Sequence, residues 1–341
     1  MTHEGGSEGA QRPRVHVLAL GGTIAMTGEL GPGVTPRLTA EDLLAATPGL
    51  DAVADVQAEQ LRQLPSAALT RADLLATARR IIEVLDAGAD AVVVTQGTDT
   101  IEETAFALDL VLPGPQPVVV TGAMRPANVA GADGPASLLA AVQVAASPAA
   151  RGAGVLVVFD EQIHAASRVR KGRASSPGAF TSPDTGPLGW VVEGEVHVLA
   201  VPSRRRTVPD VDAALLERIR VGVLPVQLDD DGLLLDAVVG LDRDGRGFDA
   251  LVVEAFGGGN VPPSLVGDLA SLATRIPVVL TTRTGAGMVH TATYGYPGGG
   301  VDLVRAGLIP GGWLDARKAR LLLTLLLAAG VGRDELAEWF V

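Results

Sequence analysis

Cysteine is absent from the chain. Disulfides, thiolate-held zinc, iron–sulfur clusters and a thiol nucleophile are excluded with it. Lysine is nearly absent: among 27 basic side chains only Lys171 and Lys318 are lysines. A general preference for arginine does not explain why lysine stands at those two positions. Positive charge is scarce overall, with 27 Lys+Arg against 39 Asp+Glu and a net charge of −12. That balance argues against a surface that tracks a phosphate backbone. The one short basic cluster, Arg204-Arg205-Arg206, reads as a solvated linker. No apolar run reaches the roughly 18 residues of a membrane span. Leu321–Val331 comes nearest, with Thr324 inside it and charges on either side. The opening MTHEGGSEGAQRPR is polar and glycine-rich, without the apolar stretch of a secretion signal. A disordered tail over 1–13 and a cytoplasmic location are expected.

The chain has 341 residues, 47% of them apolar, enough for about two domains with real cores. Val15–Leu20, Ala91–Thr95, Val118–Thr121 and Val155–Phe159 are short continuous apolar runs, the pattern of parallel strands buried on both faces. Helical periods lie between them. In Thr70–Asp86, residues Leu74, Leu75, Ala78, Ile81, Ile82 and Leu85 form one stripe. Thr100 and Glu103 have the spacing of a capping box for Thr100–Leu112. Asp133 with Pro135 predicts the start of a helix running to Ala146. Val221–Val226, Ala250–Ala255 and Val278–Thr282 read as a second set of strands, and Ala316–Ala329 as the last helix. The expected architecture is α/β: a larger N-terminal, doubly wound, mostly parallel sheet domain over 14–200, a linker over 201–213, and a smaller C-terminal α/β domain over 214–341.

Ligands of an open parallel sheet bind beyond the carboxyl ends of its strands. Gly21-Gly22-Thr23 follows the first strand, Gln96-Gly97-Thr98-Asp99 the next, Gly122-Ala123-Met124-Arg125 the third, and Asp160 then Arg170-Lys171 the fourth. Each has a plainer reading: Thr23, Thr98 and Asp99 as helix-capping or dipole residues, Lys171 as part of a solvated basic face. Together they place two hydroxyls, an acid and a rare lysine on one rim. That set suits a hydroxyl nucleophile activated by a lysine whose proton affinity is lowered, with glycine loops admitting backbone N–H groups to an oxyanion.

LALGGTIAM (Leu18–Met26), VVVTQGTDTIEETAF (Val92–Phe106), TGAMRPANVAGADGP (Thr121–Pro135) and GPLG (Gly186–Gly189) resemble, in order and spacing, the bacterial-type L-asparaginases. The resemblance runs from Val15 to the C-terminus. It implies a two-domain α/β fold, a homotetramer assembled from intimate dimers with shared active sites, and hydrolysis of asparagine through a threonine acyl-enzyme. Carried over, Thr23 resembles the nucleophile, with Gly22 beside it. Thr98, Asp99 and Lys171 match a second threonine, a ligand for the substrate ammonium and the lysine that tunes it, with Gly97 in the same loop. Ser66 matches the residue that receives the substrate carboxylate, the Ala123 backbone a contact to the scissile amide, and Asn260 a second-domain residue reaching the neighbouring subunit's site. No metal and no cofactor is implied, and no nucleic-acid or membrane partner.

Two departures stand out. Met26–Leu43, the glycine- and proline-rich stretch that reads as a lid, contains no tyrosine where the family often has one. His290–Pro297 has no acid where well-known members supply a partner glutamate, but holds Tyr294 and Tyr296, the only two tyrosines of the chain. Tyr294 is therefore a candidate catalytic phenol acting near Thr23, with a packing tyrosine as the alternative. The competing functional reading is an asparaginase-fold protein that binds an amino acid or amide and turns it over poorly. Within the enzyme class, glutamine or another amide is the alternative substrate. A dinucleotide-dependent oxidoreductase lacks its G-x-G-x-x-G, a P-loop NTPase its Gly-Lys-Ser/Thr, and a serine hydrolase its G-x-S-x-G. The five histidines show no metal-ligand spacing.

Overall fold

The structure is a computed structural model that describes residues 12–27, 35–202, 205–243 and 247–340. The chain divides between Arg205 and Arg206 into two compact units.

The first unit is built on an eight-stranded sheet. Its strands in chain order are β1 (Arg14–Gly21), β2 (Asp55–Leu64), β3 (Ala91–Thr95), β4 (Val118–Thr121), β5 (Val155–Phe159), β6 (Gln162–Ala165), β7 (Gly189–Val192) and β8 (Glu195–Val198). In space the order is β8-β7-β6-β5-β4-β3-β1-β2. The five strands from β5 to β2 are parallel, and β6, β7 and β8 continue the sheet antiparallel. The apolar runs form central strands because both their faces are covered. Val15, Val17, Val93, Val119, Leu156 and Val158 pack against helix Gly134–Ala146. Leu18, Leu20, Val92, Val94, Val118, Val120 and Val157 pack against helices Arg71–Asp86 and Ile101–Val111. The alternation of strand side chains thus feeds two separate cores.

Three local expectations are corrected. Thr100 makes no capping bond to its helix; its hydroxyl donates to the Ser66 carbonyl at 3.3 Å instead. The capping boxes lie elsewhere, at Thr39 with Asp42 and Thr70 with Asp73. Asp133 likewise does not cap its helix, because its carboxylate accepts the Met124 and Arg125 amides, both at 2.9 Å. Nor does Arg205 of the basic cluster stand free in solvent, although Arg206 is exposed. The Arg205 guanidinium sits in the first unit, donating to Asp109 at 2.9 Å and to the carbonyls of Asp109, Leu112 and Gly114. Burial pushes the Asp109 carboxyl up, and Arg205 is the leading influence that opposes it. Arg206 donates to the Glu338 carbonyl and stacks on Trp339 within the second unit. Arg204 lies outside the described residues. The expected tail falls on residues of which 1–11 also lie outside; the Pro13 carbonyl is held by the Asp55 amide at 2.9 Å.

The second unit carries four parallel strands, β9 (Val221–Pro225), β10 (Ala250–Ala255), β11 (Val278–Thr282) and β12 (Ile309–Pro310), in sequential order. One face packs on Leu235, Val239, Leu269, Leu272 and Leu303. Helix Ala316–Ala328 lies against β9, β10 and β11. Its Lys318 is only 2% exposed. Lys171, at 14% side-chain exposure, is likewise largely withdrawn from solvent. Among the described residues no helix is long and apolar enough to cross a membrane.

Candidate active site

The site begins where β1 ends. Gly21 and Gly22 both have positive φ, 102° and 85°, so the chain leaves the sheet in a conformation that favours glycine. Space demands glycine as well. A Cβ on Gly22 would stand 1.9 Å from the Gly97 amide nitrogen, and one on Gly97 would stand 2.8 Å from Ser66 Oγ. The Gly22 backbone therefore lies directly on the loop after β3, and that loop on Ser66. Thr23, the next residue, opens a short 3-10 turn over Thr23–Ala25.

Beyond it the chain forms a narrow ribbon, Met26 pairing with Pro36 and Thr27 with Thr35. The Ala25 carbonyl holds the amides of Arg37 and Leu38, at 2.8 and 3.0 Å. Residues 28–34 of the expected lid lie outside the described residues.

The loop after β3 supplies the next groups. Thr98 and Ser66 are buried, at 6% and 3% exposure, while the Asp99 side chain is 70% exposed. The Asp99 amide donates to Ser66 Oγ at 3.2 Å. Lys171 arrives from the short strand Arg170–Lys171, paired antiparallel with Phe180–Thr181. Its Nζ donates to Thr98 Oγ1 at 2.8 Å and to Asp99 Oδ1 at 2.6 Å. At 14% exposure this lysine is not part of a solvated face. Of its two Nζ partners the carboxylate is exposed and the hydroxyl buried, so the acid forms the open side of the cluster. Ala123 is fully buried, close to Gly134, which in turn touches Ile24. It follows Gly122, where a Cβ would strike the Gln96 carbonyl at 2.4 Å.

Seven of the expected site residues, Gly22, Thr23, Ser66, Gly97, Thr98, Asp99 and Lys171, thus lie on one connected stretch of loops at the carboxyl edge of the sheet. Asn260 and Tyr294 belong to the second unit. Asn260 exchanges backbone bonds with Phe256, and its Oδ1 is buried with no hydrogen-bond partner. Tyr294 is half-buried, stacked on His290 with ring centroids 5.9 Å apart and lying over Gly258. The Gly257–Asn260 loop and Tyr294 are therefore neighbours.

Sequence reasoning missed Glu102. Its carboxylate accepts the Lys171 backbone amide at 2.7 Å, and the residue is only 4% exposed. The available signal was an acid among the buried residues of a largely apolar helix that also carries Glu103 and Asp109, where a buried charge requires a partner.

A family model described as asparaginase, N-terminal, matches residues 14–204, and one described as glutaminase/asparaginase C-terminal domain matches 220–340. The chain belongs to the asparaginase family. A probable L-asparaginase of Deinococcus radiodurans is 42% identical over 341 residues, covering 97% of this chain and 98% of that protein. L-asparaginase 2 of Escherichia coli is 33% identical over 334 residues, covering 96% and 92%. The crystal structure of a probable cytoplasmic L-asparaginase from Campylobacter jejuni superposes with a TM-score of 0.84 at 30% identity, over 96% of this chain and 99% of that one. The two asparaginase domains account for the two sheets described above.

Proposed function

We propose that this asparaginase-family protein hydrolyses L-asparagine to L-aspartate and ammonia through an ester on Thr23. The observation that carries the reading is the Lys171 amine held at 2.8 Å from Thr98 Oγ1 and 2.6 Å from Asp99 Oδ1, beside buried Ser66. In this reading Ser66 receives the substrate carboxylate and Asp99 its ammonium. The Thr23 hydroxyl attacks the side-chain amide carbon, next to the Ala123 backbone. Its proton passes to the threonine–lysine pair, which returns a proton to the leaving nitrogen. Ammonia departs, and water attacks the resulting ester with Thr98 and Lys171 acting as base. A hydroxyl is too weak a nucleophile to attack an amide without such a neighbour.

Asn260 and Tyr294 complete the proposal as residues that serve the neighbouring subunit of a homotetramer, Tyr294 supplying the phenol that Met26–Leu43 lacks. The stacking of Tyr294 on His290 beside the Gly257–Asn260 loop supports the pairing of these two roles. The proposal includes a cytoplasmic location, which the likeness to a probable cytoplasmic L-asparaginase of Campylobacter jejuni supports.

Ammonia release from L-asparagine tests the reading. Loss of turnover in Thr23→Ala and Lys171→Met supports it. Thermal stabilisation by asparagine without ammonia supports instead the binding protein that the missing loop tyrosine and missing acid favour. Faster release from glutamine than from asparagine would reassign the substrate.

A further inference from the structure

Lys171 is held at both ends by a single turn of chain. Its Nζ bonds Thr98 and Asp99, and its backbone amide donates at 2.7 Å to Glu102, only four residues after Thr98. The carboxylate comes from the first turn of helix Ile101–Val111, whose preceding 3-10 turn, Thr98–Thr100, carries the two Nζ partners. A lysine reaches its target through four rotatable bonds, so the position of Nζ depends on where the backbone begins. The backbone at Lys171 is also tied to its own ribbon, through the pairing with Phe180 and the Gly172 amide on the Ala179 carbonyl at 2.7 Å. That ribbon is fixed to the sheet by Phe180 stacked on Phe159, with centroids 4.4 Å apart. None of those contacts refers the lysine to Thr98. The Glu102 bond does, because its acceptor and the Thr98 hydroxyl share one turn of chain.

We infer that Glu102 is a positioning residue for the hydrolysis, fixing the Lys171 backbone so that its amine stays in reach of Thr98 Oγ1. The inference rests on the asparaginase reading of the site. Small displacements of a catalytic group cost disproportionately in rate. The consequence falls on proton transfer, hence on kcat. Ser66 and Asp99, which capture the substrate, are tied to each other by the Asp99 amide on Ser66 Oγ at 3.2 Å, independently of Lys171, so KM is spared.

The test is a set of three variants of the full chain, assayed for ammonia release from asparagine after native near-ultraviolet circular dichroism has been confirmed. Glu102→Gln keeps an acceptor at the same reach and holds kcat within about threefold of wild type. Glu102→Asp keeps the charge but withdraws the acceptor by about 1.5 Å, one carbon–carbon bond, and lowers kcat about tenfold. Glu102→Leu lowers it by about a hundredfold. KM moves less than threefold throughout. A merely structural role would lower thermal midpoints without this ordering of kcat. Wild-type kcat in Glu102→Asp overturns the inference, as does a Glu102→Gln as slow as Glu102→Asp, which would assign charge rather than reach. Should Glu102→Leu not fold, the Gln and Asp pair decides alone. A wild-type protein that releases no ammonia would instead sink the functional reading beneath it.

Discussion

The Lys171 amine lies 2.8 Å from the Thr98 hydroxyl, across 73 residues of sequence, with the Asp99 carboxylate 2.6 Å from the same nitrogen. Charge and hydroxyl are joined by one proton-bearing atom, and that arrangement sets the first expectation. Lys171→Met removes the amine while keeping the apolar stem. Turnover should fall by about 10²- to 10⁴-fold, the range for loss of a positioned proton-transfer group. The thermal midpoint should stay within a few degrees, since the pair is partly solvated through Asp99. Steady-state kinetics beside calorimetry on the same preparation checks both halves.

Gly22→Ala is expected to remove activity from a site whose chemical groups are all present. The added methyl would coincide with the Gly97 backbone, and the residue sits at φ 85°. The loops must separate, which destabilises the fold by about 2 kcal/mol or more and shifts the turn that begins at Thr23 away from the loop after β3. Urea denaturation and asparagine turnover report the two effects. A variant with native stability would show that the contact yields more easily than its geometry requires.

His164, on β6, is completely buried and shares a 3.0 Å hydrogen bond with Ser182 Oγ, while its Nε2 meets no partner. Burial lowers its pKa to about 4 from 6.5. The unfolded chain therefore takes up this proton first as pH falls. The stabilisation is complete above about pH 6.5 and is lost progressively down to about pH 4, amounting to about 3 kcal/mol. Denaturant midpoints between pH 7.5 and 4 should drop in the wild type and drop less in His164→Gln. Equal slopes for the two proteins would assign the acid sensitivity to other groups.

Arg205 caps the end of the first unit by filling the space around Asp109. Arg205→Ala leaves that carboxyl, whose affinity for a proton burial already raises, without its cation. Removing one partner of such a buried pair costs about 3–5 kcal/mol. Asp109→Asn in the same background should recover part of the loss, because it removes the stranded charge. Chemical denaturation of the single and double variants checks this.

Much of the fold is legible in the residues because its central strands are buried on both faces. Ala91–Thr95, Val118–Thr121, Val155–Phe159, Ala250–Ala255 and Val278–Thr282 stand where their apolar runs begin and end. Strand Asp55–Leu64 is invisible by the same logic. It lies at the sheet edge, half exposed, and its sequence DVQAEQLRQL offers only Val56, Ala58 and Leu61 to the cores.

The site is legible for a different reason. The carboxyl ends of parallel strands are a fixed place to look, and the loops there carried Thr23, Thr98, Asp99 and Lys171 in plain view. What stayed hidden were polar groups whose partners are distant in sequence. Thr100 and Asp133 have the right spacing for caps, yet a carbonyl from Ser66 and two amides from Met124 and Arg125 claim them. Glu102 looks like an acid at the positive end of a helix until Lys171 is brought against it.

The central claim is that Thr23 forms the covalent bond. Rapid acid quenching of the protein during asparagine turnover, followed by peptide mass mapping, tests it directly. The account predicts an aspartyl ester on the peptide containing Thr23 and none in Thr23→Ala. An ester on Thr98, or steady turnover by Thr23→Ala, would contradict it.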